Sequence, residues 1–305
     1  MAAIGYYIFI LPLSYLPLGV LYLFTDLFYL LMITLFPYRD KVITDNIRRS
    51  FPDKSEAEIK RIRRRFYGHF TDILAEGVKN LTISEKALRK RMVVKNPELM
   101  GDLYKQNRSV LLVSGHYNNW EWLISVQNKL FPHQAYGIGM PMTSKFWDKK
   151  VNERRSRFGM RVIHAKNYKQ ELANCKEAHS VLVLADQSPG DSKKSYWTQF
   201  LNQQTAVLFG TELIANEMGH AVVFFSTRKV KRGHYEIELK LLSDQPELLH
   251  WGELTELHVR ELENLILEKP EHWLWSHKRW KRELPTNLDE LKNEQEKKFN
   301  SKYRS

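Results

Sequence analysis

The sequence predicts an α/β fold: a central mixed sheet flanked by helices, preceded by an N-terminal transmembrane or membrane-inserted helix. Three observations lead there. After Asn96-Pro97, short β-rich runs alternate with helical stretches, the pattern of a sheet covered on both faces. No charged residue occurs among the first 25 positions. With 305 residues, 43% of them hydrophobic and 12% aromatic, the chain can bury a full core in one large domain and still carry an appendage. The division expected is an anchor over residues 1–38, a helical membrane-proximal segment over 39–96, an α/β domain over 97–285 and a charged tail over 286–305.

The uncharged N-terminal stretch is long enough to cross a hydrocarbon core of roughly 30 Å, and its apolar character resumes after Asp26 as far as Tyr38. A cleavable signal peptide is the rival reading, but the usual basic flank is missing. Arg39, Lys41, Arg48 and Arg49 follow at once, so the positive-inside rule places the rest of the chain in the cytoplasm. Pro12 and Pro17 leave two geometries open, a kinked span with a second arm in the interface or a shallow hairpin. Residues 55–77 repeat apolar side chains at helical spacing, Ile59, Ile62, Phe66, Phe70, Ile73 and Leu74, and read as an amphipathic helix that packs on the domain or faces lipid.

Strands are expected at 110–114, 136–139, 181–185, 221–226 and 235–242, and later helices at 202–218 and 254–269. Residues 288–305 are rich in Glu, Lys, Gln and Asn and predict a frayed helix or a solvated tail. The formal net charge of +12 suits an anionic partner. Nucleic acid is suggested by charge alone, and the apolar N-terminus argues against it. Cys175 is the single cysteine, so neither an intramolecular disulfide nor a cysteine-based zinc site can form.

The chemistry concentrates where strand 110–114 ends. His116 stands at the carboxyl end of that strand, where open α/β sheets gather their reactive groups, and Gly115 lets the backbone turn sharply beside it. Glu121 falls in the first turns of the following helix, from which its carboxylate can fold back on the imidazole as the partner of a general base. A histidine capping the strand end beside a solvated Glu121 is the plainer reading of such spacing. Asp186-Gln187 ends the strand over 181–185 and stands on the same rim, placed for acceptor binding or for ordering the loop Ser188-Pro189-Gly190. His272, Trp273, Trp275, His277, Arg279 and Trp280 form an aromatic and basic cluster, with packing expected of the tryptophans and phosphate or carrier contacts of Lys278 and Arg279. No G-x-S-x-G elbow, Walker loop, H-E-x-x-H or dinucleotide glycine fingerprint is present, and the histidines lack metal-ligand spacing, so neither a metal nor a cofactor is expected.

The segment Ser114-Gly115-His116-Tyr117-Asn118-Asn119-Trp120-Glu121 resembles the G-H-x-x-N-W-E block of lysophospholipid and lipid A type acyltransferases, and more closely the bacterial late lipid A acyltransferases. Asn46-Ile47-Arg48-Arg49-Ser50-Phe51-Pro52, Arg157-Phe158-Gly159, Asp186-Gln187 and the stretch over 270–280 resemble that family's other blocks in the same order, over roughly residues 20 to 282. The resemblance implies a glycerolipid acyltransferase-like fold at the bacterial inner membrane. It implies transfer of an acyl chain from acyl carrier protein, or an equivalent thioester, to a hydroxyl of an anionic membrane glycolipid such as a lipid A precursor, without metal or acyl-enzyme. His116 would then be the base, held by Glu121. The family's oxyanion arginine aligns with Met140 here, so Arg154, Arg157 or Arg161, or the backbone near Gly115 with Asn118, would have to substitute, while Asn119 is expected to bind substrate. That departure keeps a second reading open, a relative that is non-catalytic or that acylates another lipid, such as a lyso-aminolipid or a pigment.

Overall fold

The apolar N-terminus is broken into pieces. A computed structural model describes residues 2–139 and 141–304. It opens with α1 (Ala2–Gly5), a π-helical turn (Tyr6–Ile10) and α2 (Leu11–Tyr15), and resumes after Leu16-Pro17 with α3 (Leu18–Thr34). Leu16 is extended, at φ −60° and ψ 150°, because the proline ring that follows disfavours helical backbone in the residue before it. Among the described residues no helix is long and apolar enough to cross a membrane. With 17 residues α3 is about 25 Å long, short of a hydrocarbon core of roughly 30 Å. The described helices therefore do not support the expected single transmembrane span. Instead α3 has two faces: Leu18, Leu21, Tyr22 and Met32 are buried against the protein and Asp26 pairs with Arg232, while Leu23, Phe24, Leu27 and Phe28 are exposed.

Next come α4 (Asp40–Ser50), α5 (Glu56–Lys79) and α6 (Glu85–Arg89). A capping box starts α5: Ser55 accepts from the Glu58 N–H, and the Glu58 carboxylate accepts from the Ser55 N–H. Of the expected stripe the helix buries Ile59, Ile62 and Phe66, leaves Phe70 and Ile73 half-buried, and exposes Leu74 because it lies off the packed face.

The remaining elements are β1 (Met92–Val94), α7 (Glu98–Lys105), β2 (Val110–Ser114), α8 (Trp120–Leu130), β3 (Gln134–Gly139), α9 (Lys145–Arg155), β4 (Arg161–His164), α10 (Tyr168–Ala173), β5 (His179–Leu184), β6 (Tyr196–Phe200), β7 (Gln203–Val207), α11 (Gly210–Met218), β8 (Ala221–Lys231), β9 (His234–Ser243), α12 (Glu253–Glu268) and α13 (Leu288–Tyr303). Seven strands form one sheet in the order β1-β9-β8-β2-β5-β3-β4, parallel throughout except for the β8–β9 pair. This is the mixed sheet expected, flanked by helices. Every residue of central β2 is buried, as a parallel strand covered on both faces requires.

Two expectations change. Residues 203–207 do not begin a helix; they pair antiparallel with β6 across Leu201 and Asn202, both at positive φ (49° and 61°), so the turn is a tight hairpin. The polar C-terminal segment is a docked helix and not a solvated tail: α13 buries Phe299 against Phe209, and Arg304 donates to the Leu249 carbonyl oxygen. Of the few apolar side chains in this polar run only Phe299 is buried, too weak a periodic signal to anticipate the docking.

Candidate active site

Strands β2 and β5 are neighbours in parallel register, with Ser114 opposite Leu184. Two residues further along each chain stand His116 and Asp186. Strand register therefore sets these two side by side at the carboxyl ends of the sheet. His116 Nδ1 lies 2.6 Å from Asp186 Oδ1, and the His116 backbone N–H donates to Oδ2 at 2.9 Å. Trp273 Nε1–H donates to the same Oδ2 at 2.8 Å. Gly115 is required by space: a β-carbon there would come within 2.7 Å of Leu262 Cδ2 and 3.0 Å of Asp186 Cγ.

Burial on its own would push the Asp186 carboxyl up, but the imidazole, its hydrogen bonds and the Trp273 N–H hold it at about 2. Asp186 is thus an ionised acceptor, so His116 Nδ1 carries the proton and Nε2 presents its lone pair to the cleft. Gln187 Nε2 is 3.3 Å from that nitrogen and donates to it. This is the geometry of a general base with its orienting carboxylate.

Glu121 does not hold His116, which corrects the pairing read from spacing. Its carboxylate is bound by Arg154 Nη2 at 2.6 Å and by Arg155 through two nitrogens, Nε at 3.2 Å and Nη2. Burial would raise its carboxyl, and Arg154 and then Arg155 override that and bring it to about 2. The first turn of α8 directs Glu121 toward α9, and two guanidinium groups outweigh one neutral imidazole for a carboxylate.

The other expected residues separate into two groups. Asn118 is fully buried at φ 52° and donates to the Thr227 carbonyl oxygen. Asn119 is the N-cap of α8, accepting from the Trp122 N–H. Arg157 is committed to the Asn80 and Ile83 carbonyl oxygens. Arg161 begins β4, at the end of the sheet away from His116, and donates to the Tyr136 hydroxyl. Arg279 is 2% exposed, so it cannot reach a head group or a carrier, whereas Lys278 is exposed. Met140 lies outside the described residues. The backbone near Gly115 is occupied as well, with Tyr117 N–H on the Gly115 carbonyl oxygen and Asn118 N–H on that of His272. Trp273 and Trp275 are buried, and the Leu274 N–H donates to the His116 carbonyl oxygen, so this stretch braces the turn that carries His116.

His116, Glu121, Arg154, Arg155 and Gln187 line a cleft of about 640 Å³. Its other walls mix apolar Ile124, Met160, Leu182 and Leu184 with the polar Asp148, Asn152 and His164. A cleft of this size with both polar and apolar side chains in its walls suits an amphiphile. Among the described residues no group of three or more His, Cys, Asp or Glu is placed to hold a metal ion. Arg155 and the Trp273 N–H were not anticipated. No sequence pattern marks Arg155 against its neighbours, and Asp186 becomes the partner of His116 only because β5 lies beside β2.

A family model described as bacterial lipid A biosynthesis acyltransferase matches residues 3–282. The chain is also similar to the lipid A biosynthesis lauroyltransferase of Escherichia coli (strain K12), with 24% identity over 247 residues, 80% of this chain and 79% of that protein.

Proposed function

The chain belongs to the bacterial lipid A biosynthesis acyltransferases, and from that premise we propose that it transfers a fatty acyl chain from acyl carrier protein, or an acyl thioester, to a hydroxyl of a lipid A precursor, with His116 as general base. The observation that carries this reading is the His116–Asp186 pair opening, through Nε2, onto an amphiphile-sized cleft. The acceptor hydroxyl gives its proton to Nε2 as its oxygen attacks the thioester carbonyl. The tetrahedral oxyanion collapses, the carbon–sulfur bond breaks, and the thiolate leaves with the proton from the imidazolium. Ester and free thiol are the products, and no acyl-enzyme is formed.

Gln187 Nε2 occupies the place the acceptor oxygen must take, and so marks its position. For the oxyanion, Asn118 and the backbone of the turn are committed elsewhere. Arg154 lines the cleft, with its guanidinium held in place through Nη2 on Glu121, which supports it as the donor. The cationic surface, Lys278 included, fits an acidic carrier protein. The exposed apolar face of α3, with Ile4, Ile8 and Phe9 before it, fits a helix lying in the interface of the inner membrane on its cytoplasmic side.

The test is transfer from a panel of acyl-carrier-protein donors to lipid A precursors in mixed micelles, read by mass spectrometry of the product lipid. Wild type should give an acylated lipid, and His116→Ala should lower turnover by about three powers of ten or more. Turnover in the variant within tenfold of wild type would remove His116 from the chemistry. No product with any donor would favour the non-catalytic reading.

A further inference from the structure

A buried carboxylate joins the two-faced helix to the catalytic turn. Glu76, on α5, has no exposed surface and takes three side-chain donors. Tyr22 Oη, from the inner face of α3, donates to Oε1 at 2.7 Å. Tyr235 Oη, from β9, donates to Oε2 at 2.7 Å, and Asn119 Nδ2 donates to the same oxygen. Burial pushes the Glu76 carboxyl up, and the three donors pull it back.

Asn119 is spent on both sides. Its Oδ1 accepts from the Trp122 N–H at 3.0 Å, so its amide cannot turn over without uncapping α8. Trp122 is tied in as well, with Nε1–H donating to the Glu76 carbonyl oxygen at 3.0 Å. The turn from His116 to Glu121 therefore starts on the sheet at Asp186 and ends on α5 at Glu76.

We propose that Glu76 is a positioning residue for the His116 turn, and that Tyr22, on the helix whose other face is apolar and exposed, acts on the turn through it. The hydroxyl of Tyr22 and the amide of Asn119 share one carboxylate, so withdrawal of either donor changes the acceptor left to the other. This rests on the reading of His116 as the base, although the tie itself has a readout that needs no turnover.

The experiment is a double-mutant cycle of Tyr22→Phe and Glu76→Met on the full chain in mixed micelles, with Glu76→Gln replacing Glu76→Met if the latter does not fold. Each single variant should lower kcat about tenfold with KM changed less than twofold, and the double variant should lose no more than the worse single. In parallel, hydrogen exchange over residues 116–122 should quicken about tenfold in each, with exchange in β5 unchanged. Leu21→Ala, on the same buried face of α3 but outside the hydrogen bonds, should lower Tm without moving either readout. Additive losses, faster exchange of the whole sheet, or an unchanged turn in Tyr22→Phe would each overturn the proposal. Absence of transfer in wild type would defeat the proposed function alone, since exchange still tests the tie.

Discussion

Replacing Asp186 with asparagine keeps the shape of the side chain and removes its charge. Oδ2 now accepts two N–H donors, from the His116 backbone and from Trp273, and Oδ1 faces His116 Nδ1. In Asp186→Asn the amide oxygen must take the place of Oδ2, because the amide nitrogen there would meet two donors. The amide nitrogen then faces Nδ1, which has to accept, and the imidazole proton moves to Nε2, the atom that must take the substrate's proton. The fold keeps its hydrogen bonds and the base is lost. A wrong tautomer of this kind lowers turnover about 10³ to 10⁴-fold, roughly 4 to 5.5 kcal/mol of transition-state stabilisation. The assay is the initial rate of thiol release with the acylated lipid quantified in parallel, and Tm measured on the same preparation. An unfolded variant would be uninformative, so Tm should lie within a few degrees of wild type. Turnover within tenfold of wild type, in a folded protein, would refute the claim that Asp186 sets the tautomer.

Three further outcomes are expected. Glu121→Gln leaves Arg154 and Arg155 without their shared carboxylate, and should cut kcat/KM by about 10 to 100-fold, clearly less than Asp186→Asn; equal losses would restore Glu121 to the base. Buried His220 and His258 are held low by burial, at about 3 and about 4 against an ordinary value of 6.5. The folded state therefore refuses protons that the unfolded chain accepts as pH falls through 6.5. Between pH 7 and 5 each should subtract about 2 kcal/mol of stability, and a Tm that stays level across that window would contradict it. Phe24→Ser with Phe28→Ser, on the exposed face of α3, should weaken partition to lipid vesicles about 100-fold while leaving Tm in detergent near wild type; unchanged vesicle binding would rule this face out as the contact.

The central strands were legible because parallel strands buried on both faces read as continuous aliphatic runs, as 110–114 does. β1 and β4, of three and four residues, carry too little pattern to stand out, and they join the sheet through pairing with distant partners. Pro17 was legible as a break in the N-terminal run, but not that α3, beyond the Leu16-Pro17 step, would lie with one face against the protein. At the site, His116 could be picked out from its place at a strand end, and Asp186 from its own. The choice between Asp186 and Glu121 could not be made from spacing along the chain, since it depends on which strand lies beside β2. Arg279 looked like a surface cation because sequence gives no hint that it is enclosed behind Asp186.

The parallel register of β2 and β5 bears on how such a protein can diverge. His116 and Asp186 owe their spacing to two backbones bonded residue for residue, and a slip of one position would turn every buried side chain of a strand to the opposite face. Selection on the core thus also guards the distance between base and carboxylate. Loops, surface charge and the helices that meet substrate are free to drift around that fixed pair, so specificity can change over a lineage while the reacting geometry stays where the sheet put it.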